Sequence, residues 1–101
     1  MAHYLVQGKP KTDRASDLQD QLRRDAFSRL QPFGRALTYS LNEARTQPDG
    51  TVVWEEEDYC SPPLAEERAA VLDAYFEDLK IEPVKAGEGW KRIARLPKLH
   101  A

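Results

Sequence analysis

The sequence predicts an α+β fold: one domain in which a four-stranded, mainly antiparallel sheet carries helices on one face. Three observations lead there. Apolar residues recur at helical spacing near 15–26 and again across 64–79. Gln47-Pro48-Asp49-Gly50-Thr51 is a hairpin signal, because proline presets φ and Asp-Gly accepts the turn geometry. β-rich segments stand at the N-terminus and around that turn. The resulting order is β-α-β-β-α-β with a short C-terminal helix or extension.

The first strand is His3-Tyr4-Leu5-Val6-Gln7, punctuated by Gly8 and Pro10. Thr12 or Asp13 caps the first helix, whose Ala15, Leu18, Leu22 and Ala26 make one apolar stripe. Phe27, Leu30 and Phe33 carry the core into a turn at Pro32-Phe33-Gly34. Over 36–45 the period becomes two: Leu37, Tyr39 and Leu41 alternate with Thr38, Ser40 and Asn42, which predicts a strand. The other arm of the hairpin is 51–59. With Gln47 opposite Thr51, Leu41 falls opposite Glu57 and Tyr39 opposite Tyr59. Glu55 and Glu57 then share one face, and Glu56 and Asp58 the other.

Ser61 is an N-cap and Pro62 a first helical residue. They open a helix over 62–80, with Leu64, Arg68, Leu72, Tyr75 and Leu79 inside and Glu66, Glu67, Asp73, Glu77 and Asp78 outside. A short strand is expected at 82–86 and a sharp turn at Gly87-Glu88-Gly89. Trp90, Ile93 and Ala94 then form a last helical turn before Pro97, with a strand through 90–96 as the alternative.

The chain has 101 residues, of which 41% are hydrophobic and 32% charged, enough for one core. No apolar run approaches the roughly 20 residues that cross a membrane, and the N-terminus lacks the pattern of a signal peptide. One cysteine excludes an internal disulfide framework, so a cytoplasmic protein is expected. The net charge of −2 is unevenly placed: +3 over 1–48, −9 over 49–79 and +4 over 80–101. Such segregation serves intramolecular pairing, a self-complementary contact or a charged partner. No basic tract with interleaved aromatics appears, which argues against nucleic acid. No cofactor is implied. Two histidines and one cysteine, far apart, give no metal-ligand spacing.

Four candidate sites stand out. Glu56 and Asp58, in a run of four carboxylates, have the chemistry of a general base pair or of hard-cation ligands; the structural alternative is a solvated strand end paired with Arg35 and Arg45. Cys60 stands before a helix whose dipole would favour the thiolate, while Glu57 and Asp58 would oppose it. His3 on the first strand could assist; an inert buried cysteine is the alternative reading. The glycines of Gly87-Glu88-Gly89 could offer amides to an anion, although a dinucleotide fingerprint would need glycine where Arg92 stands. Tyr39, Trp54, Tyr59 and Trp90 could line a small-molecule pocket, or belong to the core or a seam between copies.

The element order resembles the ferredoxin-like fold and the small dimeric α+β barrels, among them YCII-like proteins and muconolactone-isomerase-like enzymes. The YCII-like group is associated with a histidine–aspartate pair whose histidine lies in the first helix region. Residues 12–30 contain no histidine, so the architecture carries over and that chemistry does not. A sheet with helices on one face needs cover on the other, which predicts a homodimer. Function is expected to be that of a small ligand-binding or protein-interaction module. The alternative is a cofactor-independent enzyme with Asp58 or Glu56 as base, Tyr39 and Tyr59 as donors, and Cys60 or His3 assisting.

Overall fold

The computed structural model describes residues 2–100. Four strands form its sheet: β1 (Ala2–Pro10), β2 (Arg45–Thr46), β3 (Val52–Asp58) and β4 (Phe76–Val84). Their spatial order is β2-β3-β1-β4, and each neighbouring pair is antiparallel. The helices are α1 (Ala15–Arg23), α2 (Gly34–Asn42), α3 and α4 (Glu88–Ile93). Within α3, Ala65–Glu67 begin the helix, Arg68–Leu72 take the wider π winding and Asp73–Tyr75 close it.

Register decides which side chains share a face. Tyr4, Val6 and Gly8 of β1 stand opposite Glu56, Trp54 and Val52 of β3, and Val6 also opposite Ile81 of β4. This face meets the first three helices: Val6, Val52 and Trp54 are buried in one cluster with Leu18, Leu22, Leu37, Leu41, Val71 and Leu72. His3, Leu5 and Gln7 stand opposite Glu57, Glu55 and Val53, on the second face. There α4 packs, with Gly89 and Trp90 donating backbone hydrogen bonds to the Glu55 carboxylate. Helices therefore lie on both faces, and the cover expected from a second copy comes in part from the chain itself.

The turn at 47–51 is as expected. Gln47 N–H donates to Thr51 C=O at 2.8 Å, and Gly50 takes φ 89°. The segment before it is not the expected strand. Residues 34–42 are helical, and only Arg45 and Thr46 pair with β3. Leu37, Leu41 and Ala44 satisfy a spacing of three and four as well as Leu37, Tyr39 and Leu41 satisfy alternation. Burial chose the helix: Leu37, Leu41 and Ala44 are 0% exposed and Tyr39 is 63% exposed. So Leu41 does not face Glu57 across a ladder. Instead Ser40 Oγ donates to Glu55 C=O at 2.8 Å, along the β3 edge that β2 leaves free.

The second helix is shorter than 62–80. It ends at Tyr75, and Phe76 opens β4 with φ −131°. Glu77, Leu79 and Lys80 favour helix locally, but the free edge of β1 takes this segment as a strand through a register shift between Gln7 and Lys9. Of the strand expected at 82–86, residues 82–84 are the end of β4, and Lys85 and Ala86 lie beyond it. The helical start also differs, since neither Ser61 nor Pro62 caps it. Leu64, with φ 62°, precedes α3. At α1, Thr12–Arg14 form a 3-10 turn without a side-chain cap. Trp90 and Ile93 lie in a helix, α4, as the first of the two readings had it.

Candidate functional sites

Alternation along β3 sends Trp54, Glu56 and Asp58 toward the helices. Trp54 is 0% exposed, and its indole Nε1–H donates to Glu56 Oε1 at 2.8 Å. Glu56 is buried, and burial pushes its carboxyl up to about 8 against that hydrogen bond, with Glu67 and Asp58 adding repulsion. Asp58 Oδ2 accepts the Leu64 amide at 2.6 Å and the Cys60 amide at 3.1 Å, which closes the loop between β3 and α3. Burial would raise the Asp58 carboxyl. Hydrogen bonds from Glu67 and from those two amides outweigh it and hold the group below the usual range.

Glu67 brings a third buried acid to the same place. It is 0% exposed, on the first turn of α3, and burial followed by Asp58 pushes its carboxyl up to about 7. Cys60 Sγ–H donates to Glu67 Oε1 at 3.7 Å. A backbone hydrogen bond at Glu66 favours the thiolate, but burial and the Asp58 and Glu67 carboxylates leave the Cys60 thiol raised. Ligand atoms of Asp58, Cys60 and Glu67 all lie within 4.8 Å of one another. Two carboxyls bond only when one is protonated. Hence neutral Glu67 donates to Asp58, whereas in the ionised pair Glu67 Oε2 is left without a donor, as is Glu56 Oε2. Among the described residues, none of the three acids is in an ion pair. A cleft of about 260 Å³, lined by Ala2, Tyr4, Asp58, Tyr59 and Cys60, opens beside them.

The second face carries a different site. Glu55 Oε1 accepts the amides of Gly89 at 2.7 Å and Trp90 at 3.2 Å, and Oε2 accepts that of Gly87 at 2.9 Å. The glycine amides that could have held an external anion are therefore taken by the chain's own carboxylate. A Cβ on Gly89 would come within 2.9 Å of Glu55 Oε1, so glycine permits this approach. His3 Nδ1 lies 3.6 Å from Glu55 Oε2. Tyr39 and Trp90 meet edge to face at 6.2 Å between ring centres. Between these groups lies a cleft of about 340 Å³, lined by His3, Tyr39, Ser40, Glu55, Glu57 and Trp90 with Ala36.

The fold thus divides the sequence candidates in two. Glu56, Asp58 and Cys60 come together on the core side. His3, Tyr39 and Trp90 come together on the other, and His3 faces Glu55 rather than Cys60. Trp54 is fully buried and lines neither of these clefts; Tyr59 is 72% exposed, beside Cys60. The acids are not a solvated strand end: only Glu57 is exposed, and Arg45 donates to the carbonyls of Ala94 and Leu96. Sequence reasoning missed Glu67, which the stripe placed outside, and Glu55 as the cap of α4. A larger groove of about 490 Å³ lies along β4 and α4, but none of its polar side chains is buried, and its Arg92 is held by Glu82 at 2.7 Å. No helix among the described residues is long and apolar enough to cross a membrane. The chain matches no protein-family model, no curated protein and no solved structure.

Proposed function

We propose that the chain is a small ligand-binding protein whose site is the sheet-face cleft between α2 and α4, and that it takes a small organic amine. One observation carries this reading: two buried polar groups, Ser40 and Glu55, fix the floor of a cleft walled by the Tyr39–Trp90 pair and the Glu57 carboxylate. No Lys or Arg is among the described residues lining it. Aromatic faces and carboxylates both attract an ammonium group. The volume sits at the lower end of the range for small-molecule sites, roughly 300–1,000 Å³.

Titration of a panel of metabolite-sized amines, followed by Trp90 fluorescence, tests this. Saturable quenching should appear in the wild type, vanish in Tyr39→Ala and weaken in Glu57→Gln. A panel that leaves the emission unchanged would remove the proposal. The enzymatic alternative draws on the convergence of Asp58, Cys60 and Glu67 and predicts turnover that Cys60→Ser abolishes without unfolding the chain.

Two structural readings accompany this function. Central β1 and β3, each antiparallel to its neighbours, support a ferredoxin-like fold. The groove that α4 leaves open on the sheet favours a homodimer, for which native mass is the test.

A further inference from the structure

We propose that Asp58, Cys60 and Glu67 form a binding site for a divalent metal ion of the zinc class. The inference is independent of the amine cleft, which lies on the opposite face of the sheet. The end of β3, the loop after it and the first turn of α3 each supply one donor, and the three ligand atoms lie within 4.8 Å of one another. A tetrahedral ion with a bond of about 2.3 Å to sulfur and about 2.1 Å to oxygen sets the two donors about 3.6 Å apart. Cys60 Sγ and Glu67 Oε1 are separated by 3.7 Å. One sulfur with carboxylate oxygens suits a borderline cation, whereas magnesium and calcium favour oxygen alone.

The second observation is a buried acid with one carboxyl oxygen left over. Glu67 is 0% exposed, its carboxyl turns toward Asp58 and Cys60, and once ionised its Oε2 has no hydrogen-bond donor. Behind it Glu56, 1% exposed, also leaves Oε2 unpartnered. Buried carboxylates without a counter-charge are costly, and among the described residues no side-chain cation is paired with these. A dication supplies that charge. Asp58 is already oriented for the task, because the Leu64 and Cys60 amides hold its Oδ2 and leave Oδ1 for the ion. Asp58 and Cys60 line the cleft of about 260 Å³ bordered by Ala2, Tyr4 and Tyr59, from which water can complete the shell.

Chelator-stripped full-length protein titrated with Co²⁺, then with Zn²⁺, tests the site. The expected result is one Co²⁺ per chain with a thiolate-to-cobalt charge-transfer absorption that Zn²⁺ removes. Cys60→Ser should abolish that absorption, and Glu67→Gln should weaken binding by about tenfold or more. Tyr39→Ala should leave it unchanged. Alkylation of Cys60 in the wild type should slow when stoichiometric Zn²⁺ is added, a readout that needs no variant to fold. Absence of a one-to-one complex, a band that survives Cys60→Ser, or alkylation indifferent to zinc would overturn the proposal and leave a shared proton as the cluster's only occupant.

Discussion

Glu56 has the clearest consequence at the scale of single residues. Its carboxyl sits at about 8 in the fold against an ordinary 4.5, so the fold prefers the neutral form. A raised acid contributes its full stabilisation below its unfolded value and loses it as pH rises through its folded value. Glu67 acts with the same sign up to about 7, and lowered Asp58 acts oppositely, only in strong acid. In chelator, the thermal midpoint should therefore fall between about pH 5 and about pH 9. Glu56→Gln should flatten the upper part of that profile, and a wild-type profile already flat across the window would contradict the assignment. The sequence shows three of the four members of this cluster. Glu56, Asp58 and Cys60 are close in the chain, and strand alternation put the two acids on one face. Glu67 was hidden because its place on a helix depends on phase. Leu64, three residues before it, and Val71, four after it, mark that phase as inward, while its charge argued for the outer face.

At the scale of elements, β3 is tied to α4 by one side chain. Glu55 accepts three amides at the start of α4, two of them from glycines. Glu55→Ala should leave those donors without an acceptor and cost about 1–3 kcal/mol. Hydrogen exchange at Gly89 and Trp90 should quicken; unaltered exchange there would mean that α4 is held by packing alone. Helix α2 gives a sharper comparison. Leu37→Ala should cost about 2–5 kcal/mol, because it empties a fully buried site. Tyr39→Ala, at an exposed position, should stay within about 0.5 kcal/mol. Had 36–45 been a strand, both would have been inside and both costly. Local pattern carried β1, α1, the 47–51 turn and the helical character of α4, since each has one dominant period or a turn residue of defined geometry. It failed at 36–45, where two periods fit the same leucines, and at 76–80, where pairing with β1 overrides helix-forming residues.

At the scale of the whole molecule, the segregated charges resolve only partly into contacts. Arg92 with Glu82 and Lys98 with Glu43 are exposed pairs, each worth roughly 0–1 kcal/mol. The acids that matter chemically are those that the fold buries without a basic partner. Sheet cover is divided as well, with three helices on one face and α4 on part of the other. A native mass of two chains at micromolar concentration is the expected association, and a bare monomer would leave the groove beside α4 to another occupant. The two tryptophans report on the two faces separately, Trp54 beside the acidic cluster and Trp90 in the cleft. The most direct test of the binding function is therefore the pair of indole N–H signals in a nitrogen-labelled sample, followed while small amines are added. Binding in the sheet-face cleft moves the Trp90 signal and leaves that of Trp54 in place; a Trp90 signal that no amine moves would contradict it.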